Sequence, residues 1–263
     1  MKNAHFMERP THRVIIDRRT GQPVGPPVPI HPEDWPYGVI HPSERLWKYM
    51  DFWKFEDLCG RGALYFSRSD KFTDPFEGRF SQGNSTSMSA SDAAFHAAYP
   101  IAPFGKELVA SQEIMRQCVL ISCWQRSKKE DWEMWKGYTS GVESIAICTS
   151  AKALNEFVPS GIIKSTVKYH ADDFPRTEFD HLAVFFYKPN SYSFEKEFRM
   201  LLPPGKEPIG LDEIGRHVPV KLKKIVHRVI THPGASATFK AKVDLAMRQW
   251  LKHLRREDSY LLL

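Results

Sequence analysis

Cysteine is scarce in this chain, with four in 263 residues, and no two of them form a CxxC pair. That excludes a zinc knuckle or a thioredoxin-type redox motif, so Cys59, Cys118, Cys123 and Cys148 read as buried free thiols. Long apolar stretches are missing too. The best of them, Leu182 to Tyr187 and Cys118 to Cys123, fall far short of the roughly 20 residues that cross a bilayer. The opening MKNAHFMERPTHR lacks the apolar core of a signal peptide, which points to a cytoplasmic protein with no membrane partner. There is no GxSxG elbow, no Walker loop and no GxGxxG, since Gly60-Arg61-Gly62 lacks a third glycine and a preceding strand. The eleven histidines form neither HExxH nor another helix-spaced pair, so no metal is predicted.

The composition that remains, 42% hydrophobic and 26% charged, is that of a globular protein. Eight of the nineteen prolines fall before residue 43, where fixed φ and missing amide donors oppose both helix and central strand. Residues 1–45 therefore read as a Pro-rich extended arm, either packed on the body through Trp35 and Tyr37 or a mobile tail. Residues 46–263 read as a single compact α+β domain, a mixed and mainly antiparallel sheet flanked by helices. Strands are expected at Leu46 to Tyr49, Ala63 to Phe66, Val119 to Trp124, Ser144 to Cys148, Ile162 to Tyr169, Ala183 to Tyr187, Glu197 to Leu202 and Lys224 to Thr231. Helices are expected at Phe52 to Cys59, closed by Gly60, around Lys106 to Gln117, and at Ala151 to Phe157 with Ser150 as N-cap. The longest helix, Ser236 to Arg256, puts Phe239, Val243, Met247, Trp250 and Leu254 on one face. Asp74 to Gly78 reads as a turn, and the Ser-rich Gly83 to Ala90 as an exposed loop.

Charge is uneven. Residues 216–256 carry eleven Lys and Arg against one acid, Asp244, a net +10 that leaves −4 for the rest of the chain. Such an end attracts polyanions, phosphates above all. It equally describes the solvated outer side of a helix.

Three segments are not generic core: Leu46 to Phe80, Asp131 to Ile147 and Phe185 to Gly205. Leu46, Trp47, Lys48 and Tyr49 open the first, which runs through Leu64, Tyr65, Phe66 and Ser67 to Phe72, Thr73, Asp74, Pro75 and Phe76. Met134, Trp135 and Tyr138 mark the second, and Phe194, Glu195, Glu197, Phe198 and Arg199 the third. In this order the set resembles a widespread bacterial family of uncharacterised function. That family has Leu-Tyr-Lys-Tyr, Leu-Tyr-Phe-Ser, Phe-Asn-Asp-Pro-Phe, Met-Trp-x-x-Tyr and Tyr-Glu-x-Glu-Tyr-Arg motifs. Thr73 replaces its usual Asn, and Trp47 and Phe198 replace tyrosines.

A second resemblance supplies a reaction. Glu195-Lys196-Glu197 ahead of an apolar strand and Pro203-Pro204-Gly205 is similar to the late Glu-x-Glu of NAD-dependent ADP-ribosyltransferases. Lys48 stands where that family has an early His or Arg. The resemblance implies NAD as substrate, a nucleic-acid or protein acceptor, and a toxin or defence role. Breaking the nicotinamide bond develops oxocarbenium character, which a nearby carboxylate stabilises. Glu197 is the candidate for that role, with Glu195 and Arg199 organising it. Lys48, Tyr49, Trp135, Tyr138 and Asp74 are the candidates for dinucleotide binding.

On a strand, Glu195, Glu197 and Arg199 share one face. That row also describes a solvated sheet face, just as Trp135 and Tyr138, one helical turn apart, also suit a core. Asp74, Glu77 and Glu195 could alternatively assemble a metal-dependent nuclease. A non-enzymatic module that binds nucleic acid or protein through the basic C-terminal face is the alternative from a different class.

Overall fold

The structure, a computed structural model, describes residues 12–13, 26, 28–29, 37–74, 77–79, 113–170, 182–204, 210 and 212–261. The Ser-rich stretch Gly83 to Ala90, Trp35, and the start of the helix expected from Lys106 lie outside them; residues 113–118 are helical.

Two short strands, β1 (His12–Arg13) and β2 (Val28–Pro29), pair with each other. The main sheet starts at β3 (Arg45–Asp51) and runs into helix α1 (Phe52–Arg61) and β4 (Ala63–Arg68). Next come β5 (Leu120–Arg126), α2 (Trp132–Tyr138), β6 (Ser144–Ser150), α3 (Ala151–Phe157) and β7 (Ile163–Thr166). A separate pair, β8 (Lys168–His170) and β9 (Tyr187–Pro189), precedes β10 (Glu197–Leu202). The chain closes with β11 (Gly215–Pro219), α4 (Leu222–Ile225), β12 (Arg228–Thr231), α5 (Ala237–Trp250) and β13 (Arg256–Asp258). All pairings are antiparallel except β8 with β9 and β12 with β13. The α+β class expected from the sequence is the class observed.

The sheet forks. One edge of β5 pairs with β10 from Leu120↔Leu202 to Gln125↔Glu197. The other edge is shared: β4 takes Leu120 and Ile121, and β3 takes Gln125 and Arg126. Among the described pairings, neither reaches Ser122, Cys123 or Trp124 on that edge.

Alternation then sorts side chains onto two faces. On one, Leu46, Met50, Trp124, Phe198 and Met200 join the core under α1, α3, α4 and α5, where Phe55, Leu154, Ile225 and Val243 are fully buried. The other holds two smaller clusters, one around Tyr37, Ile121, Phe185 and Leu201, the other around Trp47, Tyr49, Met134 and Trp135. Tyr37 thus does pack on the body, edge-on to Phe186 at 5.4 Å.

Several elements differ from expectation. Helix α1 runs past Gly60 and ends at Gly62, whose φ of 60° supplies the left-handed cap. The run Ala183–Phe186 is a buried 3-10 helix and only Tyr187–Pro189 is strand, because an evenly apolar run has no period to separate the two. Ile162 to Tyr169 breaks at Val167 into strands of different sheets. Lys224 falls in the turn of α4, and strand begins only at Arg228. The last helix stops at Trp250, and Arg256–Asp258 returns as a strand beside β12. No helix among the described residues is long and apolar enough to cross a membrane.

Candidate functional site

The second sheet face carries the candidate residues of β10. Glu195 ends a 3-10 helix rather than lying in a strand, and Lys196 then takes a left-handed conformation (φ 45°) before β10 starts at Glu197. This non-glycine kink departs from the uniform strand expected of Glu-x-Glu, yet both carboxylates still converge on one cation. Lys188, on β9, donates to Glu195 Oε2 at 2.6 Å and to Glu197 Oε1 at 3.2 Å. Arg199 Nε donates to Glu197 Oε2 at 2.5 Å. The same guanidinium reaches Glu77, Nη1 to Oε1 at 2.5 Å and Nη2 to Oε2 at 2.8 Å, and also bonds the Phe185 carbonyl at 2.5 Å.

The row is therefore no solvated face: Arg199 is 0% exposed, Glu77 2%, Glu197 3%, and Glu195 and Lys188 6% each. Burying charges costs several kcal/mol per ion unless each is paired and hydrogen-bonded, and here every carboxylate oxygen has a partner. Glu77 is held at its backbone as well, its carbonyl accepting from Arg116 Nε at 2.7 Å and its amide donating to the Asp74 carbonyl at 3.2 Å. Gly78 follows with φ 66°, so close to Phe185 that a Cβ would sit 2.2 Å from its ring.

The two carboxylates of Glu-x-Glu are driven apart. Burial pushes the Glu197 carboxyl up, but Arg199 and Lys188 outweigh it and hold the group below the usual carboxylate range. Burial and the repulsion of Glu197 raise Glu195, against the pull of Lys188. Burial likewise raises Glu77 in spite of Arg199. Acid and base roles in one site are commonly divided by such opposed environments. Tyr138, on α2, joins from the surface: its hydroxyl donates to Glu195 Oε1 at 2.7 Å while its ring is 38% exposed.

Lys48 lies at the fork. It alternates with Trp47 and Tyr49 and so belongs to the opposite side of β3. Where β3 and β5 part, its ammonium donates to Cys123 O at 3.0 Å and Ser122 Oγ at 3.2 Å, 5.5 Å from the Trp124 ring. Burial lowers its pKa, Lys54 adds to this, and the field of Glu197 opposes it. Burial also lifts the Cys123 thiol to about 12, leaving it inert as a nucleophile at neutral pH.

The other candidates stand apart from this cluster. Tyr49 is buried, its hydroxyl accepting from the Asp131 amide at 2.8 Å and donating to Gln125 Oε1 at 3.4 Å. Trp135 is fully buried, edge-on to Tyr49 at 5.0 Å, with its indole donating to Glu130 at 3.0 Å. That is a core position, with no ring face open to a ligand. Asp74 is buried in the turn that carries Glu77. Lys188 and Arg116 carry no signal in the sequence that marks them for this site, and Glu77 is suggested there only as a metal ligand. Among the described residues, no group of three His, Cys, Asp or Glu side chains could hold a metal, and the Glu77 carboxylate is taken up by Arg199.

No protein-family model matches the chain, so the resemblance to the uncharacterised bacterial family gains no support, and no curated protein matches it. Among solved structures, Thermus sp. 2.9 DarT in complex with ADP-ribosylated ssDNA superposes with a TM-score of 0.38 at 9% identity, over 84% of this chain and 95% of that one. The same protein in complex with carba-NAD+ gives 0.37 at 11% identity, over 84% and 96%. Superpositions this loose carry nothing over to the chemistry of this chain.

Proposed function

We propose that this protein is an NAD-using enzyme of ADP-ribosyltransferase type, with Glu197 as the carboxylate that faces the developing charge. The supporting observation is the buried group Glu77, Lys188, Glu195, Glu197 and Arg199, fixed mainly on β9 and β10 beside a fork in the sheet. Carboxylates shifted in opposite directions by specific buried partners occur at catalytic sites as well as in structural ion-pair networks.

In this reading NAD supplies a glycosidic bond whose rupture leaves positive charge on the ribose. Arg199 and Lys188 keep Glu197 ionised for that moment. The Lys188 contact with Glu197 is the longer of its two carboxylate bonds, so a ribose hydroxyl most readily replaces that one. Glu195, with its raised pKa, and the half-exposed Tyr138 form the outer side of the site. Lys48 offers a cation at the fork for a phosphate. Tyr49, Trp135 and Asp74 act at a distance, by holding β3, α2 and the Glu77 turn in place.

Thermal unfolding with increasing NAD tests this, because a ligand that binds only the folded state raises the transition by mass action. A rise with NAD that Lys48→Ala and Tyr138→Ala both weaken supports the reading. No rise at any NAD concentration contradicts it.

A further inference from the structure

The carboxylate cluster occupies one face of the sheet, whereas α1, α4 and α5 pack on the other. Between these helices lies a groove with Lys221, Lys223, Gln249 and Trp250 at its rim and Cys59 and Leu222 at its floor. The charge around it is not neutralised. Of the eleven cations in residues 216–256, Arg216 pairs with Glu213, Arg228 with Glu257, Lys240 with Asp258, and Arg256 with Asp244 and Asp258. Lys221, Lys223, Lys224, Lys242, Arg248, Lys252 and Arg255 are exposed and form no ion pair among the described residues. Most of the basic excess therefore survives folding, and Lys221 and Lys223 bring part of it to the groove.

We infer that this groove binds single-stranded nucleic acid, as a surface separate from the carboxylate cluster and independent of whether that cluster is catalytic. Lys221 and Lys223 on the α4 wall suit a phosphate backbone. On the α5 wall the partly exposed Trp250 offers an indole to one unpaired base, a contact indifferent to base identity. A bilayer would require apolar side chains protruding at the groove, but Leu222 and Cys59 there are 8% and 6% exposed, and the exposed Leu245 of α5 is outside its lining. A nucleic acid seated here lies across the sheet from Glu197, so the groove would hold the polymer without presenting it for reaction.

Fluorescence anisotropy with a labelled oligothymidylate, read across a salt series, tests the inference. Three forms are compared: wild type, Lys221→Glu/Lys223→Glu, and Lys128→Glu/Lys129→Glu, which makes the same charge change at exposed loop positions. Wild type should bind with a steep salt dependence. The groove variant should bind about tenfold more weakly or worse, with a log–log salt slope shallower by about 1.4, while the loop variant stays near wild type. Lys221→Glu alone provides a second groove variant should the first unfold. No binding by wild type, equal losses in groove and loop variants, or binding only to phosphatidylserine vesicles would overturn the inference.

Discussion

Arg199 and Glu77 form a bidentate pair across 122 residues of sequence, with both partners withdrawn from solvent. The planar guanidinium also spans Glu197 and the Phe185 carbonyl. It thus joins the 3-10 helix before β9, the turn at Glu77 and strand β10, and fixes where the second carboxylate sits.

Removing this guanidinium leaves the buried Glu77 carboxylate without its counter-ion and Glu197 with Lys188 alone. Arg199→Met should destabilise the protein by about 3–5 kcal/mol, the range for breaking a buried ion pair from one side. Arg199→Lys should recover little of it, because an ammonium cannot reproduce the fork geometry. Urea unfolding of both variants checks this; a lysine variant as stable as wild type would mean that charge alone suffices.

The opposed carboxylates predict opposed pH dependences. The Glu197 carboxyl lies below its ordinary 4.5, so its contribution is present above that pH and lost as pH falls through the depressed value. Glu195 lies above 4.5, so its contribution is present below 4.5 and lost as pH rises through the raised value. Glu77 carries the same sign as Glu195. In unfolding measured across a pH series, Glu197→Gln should weaken the acid-side loss and Glu195→Gln the loss above 4.5. Parallel profiles for the two variants would contradict the assignment.

Two glycines at the end of α1 should respond with opposite signs. Gly60 is inside the helix with open space where a methyl group would sit, so Gly60→Ala should stabilise by about 0.5–1 kcal/mol. Gly62 has equal room but φ of 60°, so Gly62→Ala should cost about 1–2 kcal/mol through backbone strain alone. Thermal unfolding of the pair gives the comparison.

The spacing of Glu195, Glu197 and Arg199 made a shared polar row legible in the sequence, and local signals such as Ser150, whose hydroxyl accepts from the Ala153 amide at 3.2 Å, marked helix starts. What the row faces was not legible. Its partners Glu77 and Lys188 come from a turn and a short edge strand, brought in by tertiary packing that leaves no periodic trace. Lys188 sits between Tyr187 and Pro189 with nothing in its neighbours to mark it as a buried counter-ion. Trp135 and Tyr138 share a helix turn, yet one is core and the other surface. Helical spacing gives a face but not its depth.

If Glu197 serves glycosidic chemistry on NAD as proposed, purified protein releases nicotinamide from it. Wild type and Glu197→Gln are assayed side by side, with and without cell extract as a source of acceptors, after circular dichroism has shown both to be folded. Release by wild type, lost on the substitution, is the expected result. No release from wild type under any condition, or equal release from both proteins, would contradict it.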